Sequence, residues 1–425
     1  MRLWLVPMIY VGASVVCGLT LPRIEHSYLA SYTFNLSTAS AQACLSAAAS
    51  GMMALTGVVF AMAFVMVQFS AIAYSPRLVL WFARDRVLFH SLGVFAATFI
   101  YALFTLAWID RDGSGTVPLL STLLVAVMLL VSMLLFSRLV QRLIDLQITS
   151  VLRLIGDKGR EVISDMFRHL DEGSSGNWKS GSDFVDGLRL GPITQTLTYS
   201  GYPRTVAKLR TDALIELAKQ SSAVIEMVAA VGDTLVDGSV ILHVHGANTR
   251  LLEKNLMRAI HLESERTFEQ DPKYPIRLLV DIAIKALSPA INDPTTAVQA
   301  IDQIEDLLRR LGRHDLDAGY IKDANGVLRL MVPMPTWDDY LMLAFDEIRQ
   351  FGVGSIQVLR RLRAALIGVA DTTIVPTRAE AVRDYMKHLD LVIERSPLDT
   401  ADKAIAFQED PQGLGLSRRR PVRRA

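Results

Sequence analysis

The polar residues best suited to chemistry lie within residues 265–302, where two predicted helices meet at a polar elbow. Asp281 and Lys285 are four residues apart, so on a helix they share one face and interrupt a run of Ile, Leu and Ala. A charge buried among apolar side chains needs a partner. We therefore predict one connected polar network or ligand groove built from seven residues: Arg266, Asp271, Asp281, Lys285, Asn292, Asp293 and Asp302.

Two kinds of role are open to this network. Burial of Asp281 beside Lys285 would shift both pKa values, as an acid/base pair requires. Buried polar networks more often fix how helices cross, and this interpretation is favoured. The sequence has no phosphate-binding loop, no dinucleotide-binding glycine motif, no nucleophile elbow and no zinc-protease motif, so it does not favour an enzyme and we predict no catalytic residue.

A second group of polar residues lies in the apolar segment 51–73, among small residues. In one interpretation the small residues allow close helix packing and the hydroxyl groups bond back to their own helix. In the other, the helix lines a water-filled path in an oligomer, and Thr56, Gln68 and Ser70 face that path.

Histidine and cysteine give little support for a metal site. His243 and His245 alternate on a predicted strand, which places both rings on one face as two potential ligands. A third ligand is not evident at useful spacing, so a polar sheet face is favoured. The two cysteines, Cys17 and Cys44, exclude a disulfide framework or a cysteine-rich metal site. We predict neither a metal nor a cofactor.

The uneven distribution of charge along the chain predicts a membrane part and a water-exposed part, which position these residues. Residues 1–144 carry 12 of the 87 charged side chains in the 425-residue chain. Four apolar segments there are long enough to cross a bilayer as helices: 3–21, 51–73, 88–109 and 116–137. The formal net charge of +1 gives no reason to expect a nucleic-acid partner. The lipid bilayer is the partner that the composition indicates.

The orientation of the spans follows from the arginines of the short loops. Arg77, Arg84 and Arg86 lie between the second and third spans, and Arg138 and Arg142 lie at the end of the fourth. Because positively charged flanks stay on the cytoplasmic side, both termini are expected in the cytoplasm of a bacterium, with the chain in the inner membrane.

The remaining chain predicts an α+β cytoplasmic domain, so the fold class is a membrane domain of four helices followed by an α+β domain. We expect a transmembrane domain over 1–144, a helical connector and linker over 145–189, and a small β-rich subdomain over 190–249. A mainly helical part follows over 250–405, with helices near 337–351, 354–369 and 376–395. It includes a hairpin near 319–334, because Asn325-Gly326 is a favoured hairpin turn. Residues 406–425 read as a disordered basic tail.

Several motifs match a known bacterial family. These are Arg266-Thr267 with Gln270-Asp271, the run from Asp281-Ile282-Ala283 to Leu287-Ser288-Pro289, and Ile291-Asn292-Asp293-Pro294 with Thr296-Ala297, together with Gly57 to Phe60, Gln68 and Ser75 to Leu78 in the second span. With these motifs the chain resembles domain of unknown function 2254, whose members are predicted membrane proteins. The resemblance covers nearly the whole chain and implies architecture and membrane location, without an activity.

These observations lead to two hypotheses about function. The first is a homo-oligomeric, channel-like or transport protein for a small ion or solute, gated by its cytoplasmic domain. Four spans in one chain seldom enclose a pore alone, so this hypothesis requires a homo-oligomer. The alternative is a membrane-tethered sensor or scaffold whose cytoplasmic groove, near residues 266–302, binds a ligand or partner.

Overall fold

Four long apolar helices form the first part of the chain: α1 Leu5–Tyr28, α2 Thr38–Ala73, α3 Arg86–Leu106 and α4 Leu119–Ile144. A computed structural model describes residues 5–28, 37–73, 86–109, 117–144, 147–170 and 190–416. It separates the chain into two units, Met1–Ser150 and Val151–Ala425. Each of the four helices is long and apolar enough to cross a membrane, which confirms the predicted membrane part of the fold.

Helix α2 begins earlier than its predicted span. Its membrane-length segment is Thr38–Val65, whereas we predicted 51–73. The added turns are rich in alanine, the strongest helix former. Ala41, Leu45 and Ala49 on these turns are buried in a cluster with Tyr101 of α3.

Helix α3 is the central helix of this unit, and glycines bring α1 close to it. A Cβ atom at Gly18 would lie 2.7 Å from Cβ of Phe104, and one at Gly93 would lie 2.6 Å from the Tyr10 ring. Small residues at helix contacts let backbones approach in a bilayer, where no hydrophobic driving force acts between helices.

One carboxylate ties α1 to α4. The Glu25 side chain accepts hydrogen bonds from the backbone N–H of Leu120 at 2.6 Å and of Ser121 at 3.1 Å, and from the Ser121 hydroxyl at 3.0 Å. These N–H groups belong to the first turn of α4, where a helix leaves donors unsatisfied and favours negative charge. Glu25 is therefore a helix cap supplied by another helix.

The second unit contains most of helix α5, Ile148–Met166, and two sheets. The five-stranded sheet has the order β1-β5-β3-β8-β7, with bounds Ile193–Thr198, Val240–His245, Val224–Met227, Leu328–Met331 and Tyr320–Lys322. The three-stranded sheet has the order β4-β2-β6, with bounds Thr234–Leu235, Arg204–Leu209 and Ile260–Glu263. Strands β3 and β8 are parallel, whereas the other pairs are antiparallel.

The predicted hairpin is confirmed, since β7 pairs with β8 across the turn that contains Gly326 at φ +78°. Strand β8 also pairs with β3, so the five-stranded sheet draws strands from both sides of residue 250. The apolar core of this sheet region includes Ile225, Ile241, Leu242 and Leu330.

The helices of this unit are α6 Thr211–Gln220, α7 Glu253–Arg258, α8 Lys273–Ala286, α9 Pro294–Leu311, α10 Trp337–Phe351, α11 Ile356–Thr372, α12 Pro376–Arg395 and α13 Thr400–Ala406. Helices α10, α11 and α12 confirm the three predicted near the end of the chain. The predicted linker near 171–178 lies outside the described residues. Residues 406–416 have a defined conformation, so a disordered tail that begins at 406 was predicted too early; the buried Arg360 holds them against α11.

Candidate functional site

The segment before α8 carries an aspartate with an incomplete set of partners. Oδ1 of Asp271 accepts a hydrogen bond from the backbone N–H of Lys273 at 3.2 Å. Its other oxygen, Oδ2, is buried and has no hydrogen-bond partner among the described residues. The nearest charged group in an ion pair with it is the Arg266 guanidinium, whose Nη1 lies 3.8 Å from Oδ2. Asp271 itself is 1% exposed.

Two neighbours hold this aspartate in place. The side-chain amide of Gln270, a residue at φ +54°, accepts from the Leu209 N–H at 2.9 Å and donates to the Leu209 carbonyl at 3.2 Å. Gln270 therefore docks the segment on the end of β2 much as a strand partner would. On the other side, Gly232 lies so close that a Cβ atom there would be 2.4 Å from Oδ2 of Asp271.

Burial changes the proton affinity of the groups around this position. Desolvation raises the pKa of Asp271, although Lys273 and Arg266 act in the opposite direction. Burial and the charge of Asp271 also raise the pKa of Tyr340 well above its ordinary value. The Tyr340 hydroxyl, like Oδ2 of Asp271, is buried without a hydrogen-bond partner in the described structure.

A cleft of about 440 Å³ opens beside this segment. Its walls come from α5, from the end of β2, from residues 268–273 and from residues 318–335. Much of the surface is apolar, as in most small-molecule sites. The apolar lining residues are Val162, Met166, Leu209, Val231, Phe268, Pro272, Ala318, Ile321, Val332, Pro333, Met334 and Pro335.

The charged side chains at this cleft are mostly compensated. Lys208 pairs with Glu269 at 3.1 Å, and Lys158 pairs with Glu161 at 2.5 Å. The ammonium group of Lys273 donates to the Val231 carbonyl at 3.3 Å. Asp271 differs from these groups because it is buried and one of its oxygens has no hydrogen bond within the described part of the chain.

The structure places Asp281 in an ion pair that sequence reasoning did not find. Arg277, one turn earlier on α8, donates from Nε to Asp281 at 2.7 Å, and its Nη1 and Nη2 donate to the two carboxylate oxygens of Glu347 at 2.8 and 2.6 Å. These bonds to Glu347 and Asp281 raise the pKa of Arg277. The i, i+4 spacing of Arg277 and Asp281 was the available signal, whereas Glu347 lies far away in the sequence on α10. Lys285, for which Asp281 was the expected partner, has its pKa lowered by burial.

Asp293 and Asn292 shape the turn between α8 and α9. The predicted helix start is confirmed: Asp293 accepts from the Thr296 N–H at 3.1 Å and from the Thr296 hydroxyl at 2.6 Å, and Pro294 is the first helical residue. Asn292 is exposed and has φ +49°. Both residues therefore have local roles in ending one helix and starting the next.

Asp302 belongs to a separate ion-pair cluster between α9 and α11. Its Oδ1 accepts from Nε of Arg361 at 2.7 Å, and Arg361 also donates to Glu305. The contacts of the predicted residues thus lie at four places: around Asp271, around Arg277, at the turn between α8 and α9, and around Arg361. Only the first of them borders the cleft.

The candidate path-lining residues lie on α2. The Thr56 hydroxyl donates to the Met52 carbonyl at 2.8 Å, which is the backbone-bonded arrangement considered above. Gln68 is exposed. The side chain of Ser70 lies outside the described residues.

The two histidines of β5 have protein partners. His245 contacts the Gly191 carbonyl through Nδ1 at 3.0 Å and the Glu226 carboxylate through Nε2 at 2.8 Å, while Nδ1 of His243 lies 3.0 Å from the Thr196 hydroxyl. Within the described part of the chain, no group of three or more His, Cys, Asp or Glu residues could hold a metal ion.

Comparisons with known proteins give a family but no activity. A family model described as "Predicted membrane protein (DUF2254)" matches residues 1–367. An uncharacterised protein of Mycobacterium bovis and one of Mycobacterium tuberculosis are each 26% identical over 418 residues, which is 95% of this chain and 78% of each relative. A second Mycobacterium tuberculosis protein, also uncharacterised, is 25% identical over the same shares of both chains. No solved structure matches.

Proposed function

The chain belongs to the DUF2254 family of predicted membrane proteins, and we propose that it is a membrane-anchored binding protein. In this proposal the four apolar helices anchor the chain, and the cleft beside Asp271 holds a small ligand. The single observation that carries the proposal is the buried Oδ2 of Asp271, which has no hydrogen-bond partner among the residues that the structure describes. This proposal develops the hypothesis of a membrane-tethered sensor. The groove predicted near residues 266–302 is replaced by a cleft that includes only residues 268–273 of that range.

A buried carboxylate without a full set of hydrogen bonds destabilises a fold, so its presence calls for an explanation. Groups of this kind concentrate at functional sites, where the protein retains an unsatisfied group for a ligand. Here a hydrogen-bond donor of the ligand would satisfy Oδ2. The ion-pair partner of this oxygen, Arg266, has a side chain that is 35% exposed, and in this proposal it moves aside when the donor of the ligand reaches Oδ2.

The cleft also restricts the ligand. A volume of about 440 Å³ suits a small organic molecule. Phe268, Met334 and Pro335 offer an apolar surface to its body, and Asp271 would receive a polar group. The ligand class that fits is a mainly apolar molecule with at least one N–H or O–H donor.

Asp271→Asn is expected to make the second unit more stable near pH 7. Because burial raises the pKa of Asp271, its contribution to stability is complete below the unfolded-state pKa of about 4 and is lost as pH rises through the folded-state pKa. Asn is neutral at every pH and avoids this loss. We expect a gain of about 1 kcal/mol at neutral pH, the usual size of a stabilising substitution at a functional site, and a smaller difference near pH 4.

The measurement is denaturant unfolding followed by Trp337 fluorescence. Trp337 is 7% exposed and lies in the second unit, and replacing the other four tryptophans, Trp4, Trp81, Trp108 and Trp178, with Phe makes it the sole reporter. Asp293→Asn is the matched control. It also changes an aspartate that a proline follows near the start of a helix, but Asn caps a helix as well as Asp does. The amide of Asn can donate to the Thr296 hydroxyl, which in the wild type donates to Asp293, so the effect should be near zero. If Asp271→Asn destabilised the unit at neutral pH, Asp271 would be structural and the proposal would lose its basis.

We also propose that the protein lies in the bacterial inner membrane with both termini in the cytoplasm, on the strength of the arginine distribution. In a variant with Cys17 and Cys44 replaced by Ser, a cysteine introduced at Ser114 should react with a membrane-impermeant maleimide in intact spheroplasts. A cysteine at Ser417 should react only after lysis. The reverse pattern would contradict this orientation.

A second candidate function is the homo-oligomeric conduit for a small ion or solute. It is supported by the uncovered surface of α2, where Gln68 is exposed and a Cβ atom at Gly51 or Gly57 would meet nothing within 4 Å. Such a surface suits contact with a second copy. The conduit remains second because Thr56 bonds to its own helix.

If α2 lines a path, Gln68→Leu should change the unitary current of the protein reconstituted in a planar bilayer, since it removes a polar group from the wall. Phe64→Leu is the matched control, because Phe64 is an exposed apolar residue of the same helix and its replacement leaves the wall apolar. Absence of current in wild type, or equal currents in Gln68→Leu, would count against the conduit.

A further inference from the structure

The end of the described chain forms a built structure, which we call the C-terminal strap and define as residues 407–416. Two fully or almost fully buried charged residues hold it. Asp410 is 0% exposed, and its carboxylate accepts from the N–H groups of Gln412 at 3.2 Å, Gly413 at 3.0 Å and Gly415 at 2.6 Å. The strap therefore turns tightly around one carboxylate.

The second buried residue is Arg360 of α11, which is 2% exposed. Its guanidinium donates to the carbonyl groups of Gly415 at 2.8 Å, Leu416 at 3.2 Å and Glu409 at 3.4 Å. A buried arginine that bonds to three backbone carbonyls of one segment fixes the path of that segment. Gln357, one turn earlier, donates to the Gly413 carbonyl at 2.6 Å.

The strap presents apolar side chains outward. Leu414 and Leu416 are 70% and 63% exposed, although the backbone groups of Gly413 and Gly415 beside them are hydrogen-bonded to Asp410, Gln357 and Arg360. Gly413 and Gly415 have φ values of +67° and +81°, which few other residues adopt, and they alternate with the two leucines. The backbone geometry thus keeps the two leucine side chains exposed to solvent, although the hydrophobic effect favours their burial.

The sequence beyond the strap supplies charge of one sign. No Asp or Glu follows Asp410, and five arginines occur within seven residues: Arg418, Arg419, Arg420, Arg423 and Arg424. Exposed leucines next to a cluster of arginines match the chemistry of an anionic bilayer surface, which takes apolar side chains at its boundary and attracts cations.

We propose that the strap and the arginines after it bind the anionic lipid surface of the membrane in which the protein is anchored. The arginines bind lipid phosphates, and Leu414 and Leu416 enter the boundary between headgroups and acyl chains. Arg360 and Asp410 position this contact without touching lipid. The proposal does not depend on the ligand cleft, because it concerns another part of the second unit.

The test uses the full chain with Cys17 and Cys44 replaced by Ser and a cysteine at Ser417 that carries an environment-sensitive nitrobenzoxadiazole dye. The protein is reconstituted in nanodiscs of phosphatidylcholine, with or without phosphatidylglycerol. Phosphatidylglycerol should shift the emission to the blue and increase it, and high salt should reverse this change. Each Arg→Gln change in the tail should lower the ratio of bound to free tail about fivefold.

Two further variants separate the parts of the proposal. Replacing the five arginines with Lys should preserve the response, because charge is the main attraction. Replacing Leu414 and Leu416 with Ser should preserve the salt sensitivity but reduce quenching by spin-labelled lipids, since the apolar insertion is lost. The proposal would be overturned if the emission were the same in both nanodiscs or unchanged by the five Arg→Gln substitutions. A dye that packs on the protein itself would give this result, because its blue-shifted emission would not depend on the lipid.

Discussion

Replacing Arg361 with Met is expected to destabilise the second unit by about 3–5 kcal/mol, the usual cost of removing one partner of a buried ion pair. Arg361 is 5% exposed and joins α11 to α9 through Asp302 and Glu305. Glu305 is 8% exposed, so without Arg361 its carboxylate would remain buried with Arg309 of its own helix as the other partner. Methionine fills much of the same volume, so the loss would report the charge rather than a cavity.

Denaturant unfolding followed by Trp337 fluorescence measures this loss. Arg310→Met is the matched control. Arg310 pairs with Asp306 at 3.2 Å on the surface of α9, and both side chains are well exposed. Its effect should be below about 0.5 kcal/mol. The double change Arg361→Met with Glu305→Leu should recover most of the loss, since a buried pair replaced by apolar residues is often neutral. A loss below 1 kcal/mol in the single variant, roughly the size of a surface effect, would show that Asp302 and Glu305 do not depend on Arg361.

The features that the sequence predicted correctly were those with local signals. Asp293-Pro294 starts α9, and Asn325-Gly326 turns the β7-β8 hairpin, because both depend on the backbone preferences of adjacent residues. The four apolar helices were evident from composition alone. The predicted start of the second span was too late, because the first turns of α2 are rich in alanine rather than strongly apolar. Alanine favours a helix but does not by itself indicate a membrane span.

The candidate site was less predictable because its partners are distant in sequence. Asp281 was identified, but its ion-pair group includes Glu347, 70 residues from Arg277. Asp302 was assigned to the same network as Asp271, whereas its partner Arg361 lies on α11. Periodicity places a residue on a face but does not say which other helix covers that face. One oxygen of Asp271 has no hydrogen bond among the described residues. This property depends on every group packed around the oxygen, so no local pattern could predict it.

Gly232→Ala is expected to destabilise the second unit by about 3 kcal/mol through two separate effects. Gly232 has φ +91°, a conformation that costs a residue with a side chain about 1–2 kcal/mol. Its new Cβ atom would also lie 2.4 Å from Oδ2 of Asp271 and 3.4 Å from Cζ of Arg266. Because Asp271 is held by the Lys273 N–H and enclosed, it has little room to move, and the contact adds a cost typical of overpacking, about 1–3 kcal/mol.

Gly238→Ala separates the two effects. Gly238 has a similar φ of +83°, but a Cβ atom there meets nothing within 4 Å, so only the backbone cost of about 1 kcal/mol should appear. Combining Gly232→Ala with Asp271→Ala should recover the contact cost and leave the backbone cost, which a double-mutant cycle measures directly. Equal losses in Gly232→Ala and Gly238→Ala would show that Asp271 is free to move away from Gly232. An excess loss at Gly232 would instead establish that the aspartate is rigidly held, which is what a binding group needs in order to present one oxygen in a fixed position.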